Sequence, residues 1–160
     1  GLMQLFVDHA TNMVSQCVRD DVKVKLCASS PERLPKHVLK ALRLLEHQTR
    51  NHSGVELNLC VSYGGRDEIV KATRAIAGKV QSGKLDPDNI DEDTLDAHML
   101  CSSPDILIRT SGERRLSNFL LWQLAYTEMV FVNKLWPEIT KADFVSAIDT
   151  ASGRTRRFGF

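Results

Sequence analysis

The stretch Asp105-Ile106-Leu107-Ile108-Arg109-Thr110-Ser111-Gly112-Glu113-Arg114-Arg115-Leu116-Ser117-Asn118-Phe119-Leu120-Leu121-Trp122-Gln123 decides how the chain is read. Ile106-Leu107-Ile108 is a short apolar run with the length of a buried strand. It breaks off into a polar stretch, Arg109 to Arg115. Ser117-Asn118 then opens a second apolar run, Phe119 to Ala125, which reads as a buried helix. The order is strand, polar loop, helix. In an α/β sheet, the loop leaving a strand's carboxyl end is where ligands bind. This loop offers the guanidinium groups of Arg109, Arg114 and Arg115, the hydroxyls of Thr110, Ser111 and Ser117, and the backbone N–H groups expected at a helix start. Those groups suit a phosphate or a diphosphate.

The rest of the chain supplies more of the same alternation. Residues 2–19 carry Leu2, Leu5, Phe6, Met13 and Cys17 near helical spacing and read as an amphipathic helix. His9 lies on or near its apolar face and reads as a packed or half-exposed structural histidine. Val22 to Ala28 alternates as a strand suited to a sheet edge. A helix from Pro35 to about Thr49 follows, with Val38, Leu39, Leu42 and Leu45 as its stripe. Val55 to Ser62 alternates again and runs into Tyr63-Gly64-Gly65-Arg66-Asp67-Glu68. Asp67 and Glu68 suit the positive end of the next helix, which carries Ile69, Val70, Ala72, Ile76 and Val80. The acidic segment from Leu85 to Asp93 lacks the spacing of a calcium loop and reads as a solvated link into a short helix, Asp93 to Leu100. Glu128 to Val132 is another strand. Thr140, with Asp143 three residues on, caps a last helix whose Phe144, Val145 and Ile148 are expected in the core. The tail from Arg154 to Phe160 is basic.

This pattern predicts α/β, with a largely parallel sheet flanked by helices, in a single domain spanning 1–160. A chain of 160 residues, 42% apolar and 26% charged, can bury a core of its own. Its formal net charge of +1 provides no basic field for nucleic acid. Cys17, Cys27, Cys60 and Cys101 are far apart with no C-x-x-C, so reduced, mostly buried thiols are expected and a zinc site is not. No apolar run is long enough to span a bilayer.

The central stretch, from Asp105-Ile106-Leu107-Ile108-Arg109-Thr110-Ser111-Gly112-Glu113 through Arg115-Leu116-Ser117-Asn118-Phe119-Leu120-Leu121-Trp122-Gln123, resembles the signature of the cis-prenyltransferases, the undecaprenyl and dehydrodolichyl diphosphate synthases. Tyr63 to Ile69, Ala125-Tyr126-Thr127-Glu128, Leu135-Trp136-Pro137 and Arg156-Arg157-Phe158-Gly159 match in the family's order. The resemblance implies condensation of isopentenyl diphosphate with an allylic diphosphate, forming a cis double bond and releasing pyrophosphate. It implies that Arg109, Arg115 and Ser117 grip the isopentenyl diphosphate, that Glu113 acts in the same motif, and that Glu128 helps hold Mg²⁺. Arg157 and Gly159 match an Arg-x-Gly element that reaches a partner subunit's diphosphate site. A homodimer is therefore implied, with a heteromer containing a Nogo-B receptor-like subunit left open. Peripheral membrane contact follows from greasy products, in the cytoplasm, at the endoplasmic reticulum or in a plastid.

Two departures stand out. Ser62 replaces the family's asparagine before Tyr63. The Asp-Gly-Asn phosphate loop of the family's N-terminal part does not occur in these 160 residues, so this chain is expected to hold one half of an active site and to be inactive alone. A non-catalytic partner subunit of the Nogo-B receptor kind is the competing reading; the presence of Arg109, Arg115, Ser117 and Glu128 speaks against it.

Overall fold

A computed structural model describes residues 13–154. The expectations for His9, Arg157 and Gly159 fall outside that range. The chain divides into two compact units, residues 1–101 and residues 102–160.

The first unit begins with helical residues 13–19 (α1) and continues through β1 (Lys23–Cys27), α2 (Lys36–Thr49), β2 (Glu56–Cys60), α3 (Gly65–Gln81) and the short α4 (Glu92–Asp96). Strands β1 and β2 are parallel and in register from Lys23↔Glu56 to Cys27↔Cys60. Side chains alternate between faces along a strand, so the two faces of this pair differ in chemistry. One carries Val24, Leu26, Leu57 and Leu59. Val24 packs with Cys17 of α1 and Leu45 of α2, and Leu57 and Leu59 close around them. The other carries Lys23 and Glu56, joined by a 2.9 Å ion pair, then Lys25 and Asn58, then the two cysteines.

Helix α2 forms where its stripe predicts, burying Val38, Leu42, Leu45 and Thr49. It also closes the open edge of β1. The Val24 N–H donates to Thr49 Oγ1 at 3.0 Å and the Leu26 N–H to Glu46 Oε1 at 2.9 Å. A bare strand edge invites pairing with another chain, and these bonds occupy it. Helix α4 is shorter than expected, ending at Asp96 and passing into turns.

The second unit pairs β3 (Ile106–Arg109) with β4 (Glu128–Phe131), again parallel, from Ile106↔Glu128 to Arg109↔Phe131. Helix α5 (Lys141–Ser152) lies on the face that carries Ile106, Ile108, Val130 and Val132. The Thr140–Asp143 capping box forms as expected.

Two expectations are corrected here. Residues 117–126 are a succession of turns rather than a buried helix. Ser117, Asn118 and Leu120 have φ of 48°, 65° and 44°, and left-handed residues cannot propagate a right-handed helix. The burial expected of a helix survives, since Leu120, Gln123 and Leu124 are all buried. The second correction concerns α5. Phe144, Val145 and Ile148 are exposed; Ala147 and Ala151 face the strands. Two small residues one turn apart let the helix approach the sheet closely, and the larger side chains turn outward.

Candidate functional site

The arginine-rich turn is built on the carboxyl end of β3. Arg109 is the last strand residue and is half-buried. Its Nε is buried and makes no hydrogen bond. An unsatisfied buried donor costs about 1–3 kcal/mol, more when charged, and a ligand oxygen would satisfy it. Ser111 and Gly112 both adopt positive φ, 65° and 67°, and turn the chain back on itself. Their N–H groups donate to Lys134 O at 2.8 Å and Val132 O at 3.1 Å. These two amides are therefore committed to the fold, unlike the free helix-start amides the sequence predicts.

Beyond the turn, Glu113 and Arg115 form an ion pair. Arg115 and Ser117 are exposed. Glu128 opens β4, and register and alternation place it at the other end of the ladder from Arg109 and on the opposite face. Three rungs separate them, about 10 Å along the strands. Within one chain the structure does not bring these two groups together.

Glu128 lies instead beside the end of α5. Arg154 donates from Nη1 to Glu128 Oε2 at 3.1 Å and to Met129 O at 2.9 Å. Asp105, Glu128 and Arg154 line a cavity of about 340 Å³ there. A larger one, about 530 Å³, runs along β4 and α5 and takes in Arg114, Asn133 and Arg154. Arg114 belongs to the arginine-rich turn that the sequence singles out, whereas Arg154 stands out only as the start of a basic tail. The Arg154 contacts with Glu128 and Met129 depend on how the end of α5 meets β4, which no sequence interval fixes.

Magnesium prefers oxygen donors and is commonly held by one or two carboxylates together with substrate phosphates. Glu128, with one oxygen engaged by Arg154 and Asp105 in the same cavity, fits the role of such a carboxylate.

The first unit has its own polar cluster at the carboxyl ends of β1 and β2. The Ser30 N–H donates to Ser62 O at 3.0 Å and the Ser62 hydroxyl to Ser30 O at 2.7 Å. Ser62 sits at φ 51°, a conformation asparagine adopts more readily than serine, so its hydroxyl bond offsets part of that strain. Gly64 N–H donates to Ser29 Oγ at 2.8 Å. Asp67 at the start of α3 takes the Ser30 hydroxyl at 2.9 Å and Lys71 at 3.1 Å, which hold it below the usual carboxylate range. Glu68 is buried; it accepts from the Tyr63 hydroxyl and from the Leu100 N–H at 2.7 Å. Burial and that carboxylate push the Tyr63 phenol up.

Parallel strands with polar turns at their carboxyl ends define an α/β protein of the kind that holds phosphorylated ligands there. The particular family follows from comparison: the prenyltransferase family described as undecaprenyl diphosphate synthase matches residues 1–159, and the chain belongs to it. The ditrans,polycis-undecaprenyl-diphosphate synthase of Escherichia coli K12, (2E,6E)-farnesyl-diphosphate specific, is 40% identical over 99% of this chain and 64% of its own length. Cis-prenyltransferase 7, chloroplastic, of Solanum lycopersicum is 41% identical over 99% of this chain and 57% of its own. Lavandulyl diphosphate synthase from Lavandula x intermedia, solved with dimethylallyl diphosphate, superposes with a TM-score of 0.93 at 39% identity, covering 99% of this chain and 70% of that one. The chain spans about 60% of the length of the curated relatives it matches.

Proposed function

We propose that the protein catalyses cis-prenyl chain elongation. It condenses isopentenyl diphosphate with an allylic diphosphate to give a Z-prenyl or Z-polyprenyl diphosphate, with release of pyrophosphate. The observation that carries this reading is the family match across residues 1–159 with the Arg109–Ser117 turn intact on the end of the half-buried strand β3.

In this reading Arg109 and Arg115 present paired N–H donors to the isopentenyl diphosphate, and Ser117 adds a hydroxyl. A planar fork matches two phosphate oxygens at once, which a lysine cannot do. Glu113 holds the Arg115 guanidinium until the anion arrives. Glu128 would hold Mg²⁺ through its carboxylate, one oxygen of which accepts from Arg154 in the structure. Bound there, the ion would neutralise charge on the departing diphosphate. Because Glu128 and Arg109 stand apart within one chain, Glu128 of each subunit acts toward a diphosphate other than the one Arg109 holds. Arg157 and Gly159 match the family's Arg-x-Gly element, which serves a partner subunit's diphosphate site, so the working unit in this reading is a dimer, either of this chain or with a Nogo-B receptor-like subunit. Greasy products bring it to a membrane surface. No described helix is long and apolar enough to cross one.

The test uses the full-length protein, radiolabelled isopentenyl diphosphate and dimethylallyl or farnesyl diphosphate as starter. Turnover is expected with Mg²⁺ and none after chelation. Arg115→Ala is expected to raise the KM for isopentenyl diphosphate about 10- to 100-fold, or to abolish turnover, in keeping with loss of a charge-assisted hydrogen-bond pair. Unaltered kinetics in that variant would remove Arg115 from the site. A full-length protein with no turnover under any of these conditions would favour the non-catalytic subunit.

A further inference from the structure

Three of the four cysteines, scattered through the sequence, meet in space. Cys27 and Cys60 are register partners on the last rung of the β1–β2 ladder, so their side chains leave the same face of the sheet. Cys101, which follows α4, arrives beside them. The three Sγ atoms all lie within 4.8 Å of one another, and Cys60 and Cys101 are 3.8 Å apart. Cys27 and Cys101 are buried; Cys60 is half-exposed and gives the cluster a path to solvent.

We propose that Cys27, Cys60 and Cys101 form a binding site for a thiophilic divalent cation, zinc in the first instance. Zinc–thiolate bonds of about 2.3 Å in a tetrahedron set sulfur atoms about 3.8 Å apart. The Cys60–Cys101 pair already has that spacing, and Cys27 closes the triangle with a movement of at most about 1 Å. Soft sulfur donors select zinc over magnesium, so this site is separate in chemistry from any cation serving a diphosphate. Each thiol gives up its proton as its sulfur binds the metal, and three thiolates leave one tetrahedral position for water or a carbonyl oxygen.

The surroundings suit it. Asn58, two residues before Cys60 on the same face, lies 3.4 Å from Cys27 Sγ, as does the Leu100 carbonyl. With its amide turned, Asn58 would donate to the thiolate, the kind of supporting bond that orients metal ligands. Lys25, on the rung below and the same face, would balance the surplus negative charge of a tris-thiolate zinc centre.

The test is spectroscopic and independent of prenyl transfer. The reduced, chelator-stripped full chain is titrated anaerobically with Co²⁺. One equivalent is expected to raise thiolate-to-cobalt charge-transfer absorption, and Zn²⁺ is expected to displace it. Cys101→Ser should abolish the band, Asn58→Ala should weaken zinc binding roughly 10- to 100-fold, and Cys17→Ser should leave both unchanged. Absence of charge transfer in the unsubstituted chain overturns the proposal without recourse to any variant. So does a Cys60–Cys101 disulfide that forms under diamide at the same rate with and without zinc.

Discussion

Thr49 shows how much one hydroxyl can do. It is fully buried, donates to Leu45 O at 2.9 Å and accepts the Val24 N–H at 3.0 Å. Thr49→Val keeps the shape and strands that amide on an edge strand with no other partner. The expected loss is about 1–3 kcal/mol of stability, read as a lower urea midpoint, whereas Thr49→Ser should recover most of it. A valine variant as stable as the parent would show that the bond contributes nothing net. Ser62 makes a related point. The position holds a left-handed backbone, which the sequence does not reveal; the Ser30 bonds that make serine tolerable there come from a different loop.

Elements are placed by their shortest contacts. The turn after α1 meets the turn before β2, where the Asp21 carboxylate lies 3.0 Å from His52 Nδ1 and accepts the Ser53 N–H at 3.3 Å. A Cβ at Gly54 would fall 2.4 Å from the Asp21 carbonyl oxygen. The Lys23 N–H donates to Val55 O next door, so a shift there moves the β1–β2 register. Gly54→Ala is expected to destabilise the first unit by about 1–3 kcal/mol, seen as a lower denaturation midpoint at unchanged m-value. An unmoved midpoint would mean the two turns separate freely. The same logic explains α5. Periodicity identified the helix and its cap, because Thr140 and Asp143 are three residues apart in any fold. Its rotation was not legible, since Phe144 and Ala147 are both apolar and only the β3–β4 surface chooses between them. Residues 117–126 carry helical hydrophobic spacing in which left-handed backbone at Leu120 leaves no pattern.

At the scale of the molecule, the charged groups share one tendency. Glu56, Asp67, Asp91 and Asp143 are each held below their ordinary values, by Lys23, by Lys71 and Ser30, by Thr94, and by Lys134 with Thr140 respectively. A carboxyl depressed on folding stabilises the folded state fully above its unfolded pKa and loses that contribution as pH falls toward the folded value. With ordinary values of 3.8 for the aspartates and 4.5 for Glu56, stability should be level above about pH 5 and decline through pH 4 and below. Thermal denaturation across that range checks this, and Asp143→Asn should flatten part of the slope. A midpoint that rises on acidification would reverse the assignment. The pairs with Lys23, Lys71 and Lys134 are exposed enough that added salt should weaken each modestly.

By itself, the sequence determined the alternation of strands and helices outside residues 117–126, the arginine-rich turn after Ile108 and membership in the prenyltransferase family, because these are properties of neighbours along the chain. Tertiary structure alone decided that Glu128 stands at the far end of the ladder from Arg109, that α5 shows its alanines to the sheet, and that Cys27, Cys60 and Cys101 converge. Each of those depends on strand register or helix rotation, which bring together residues that no sequence interval connects.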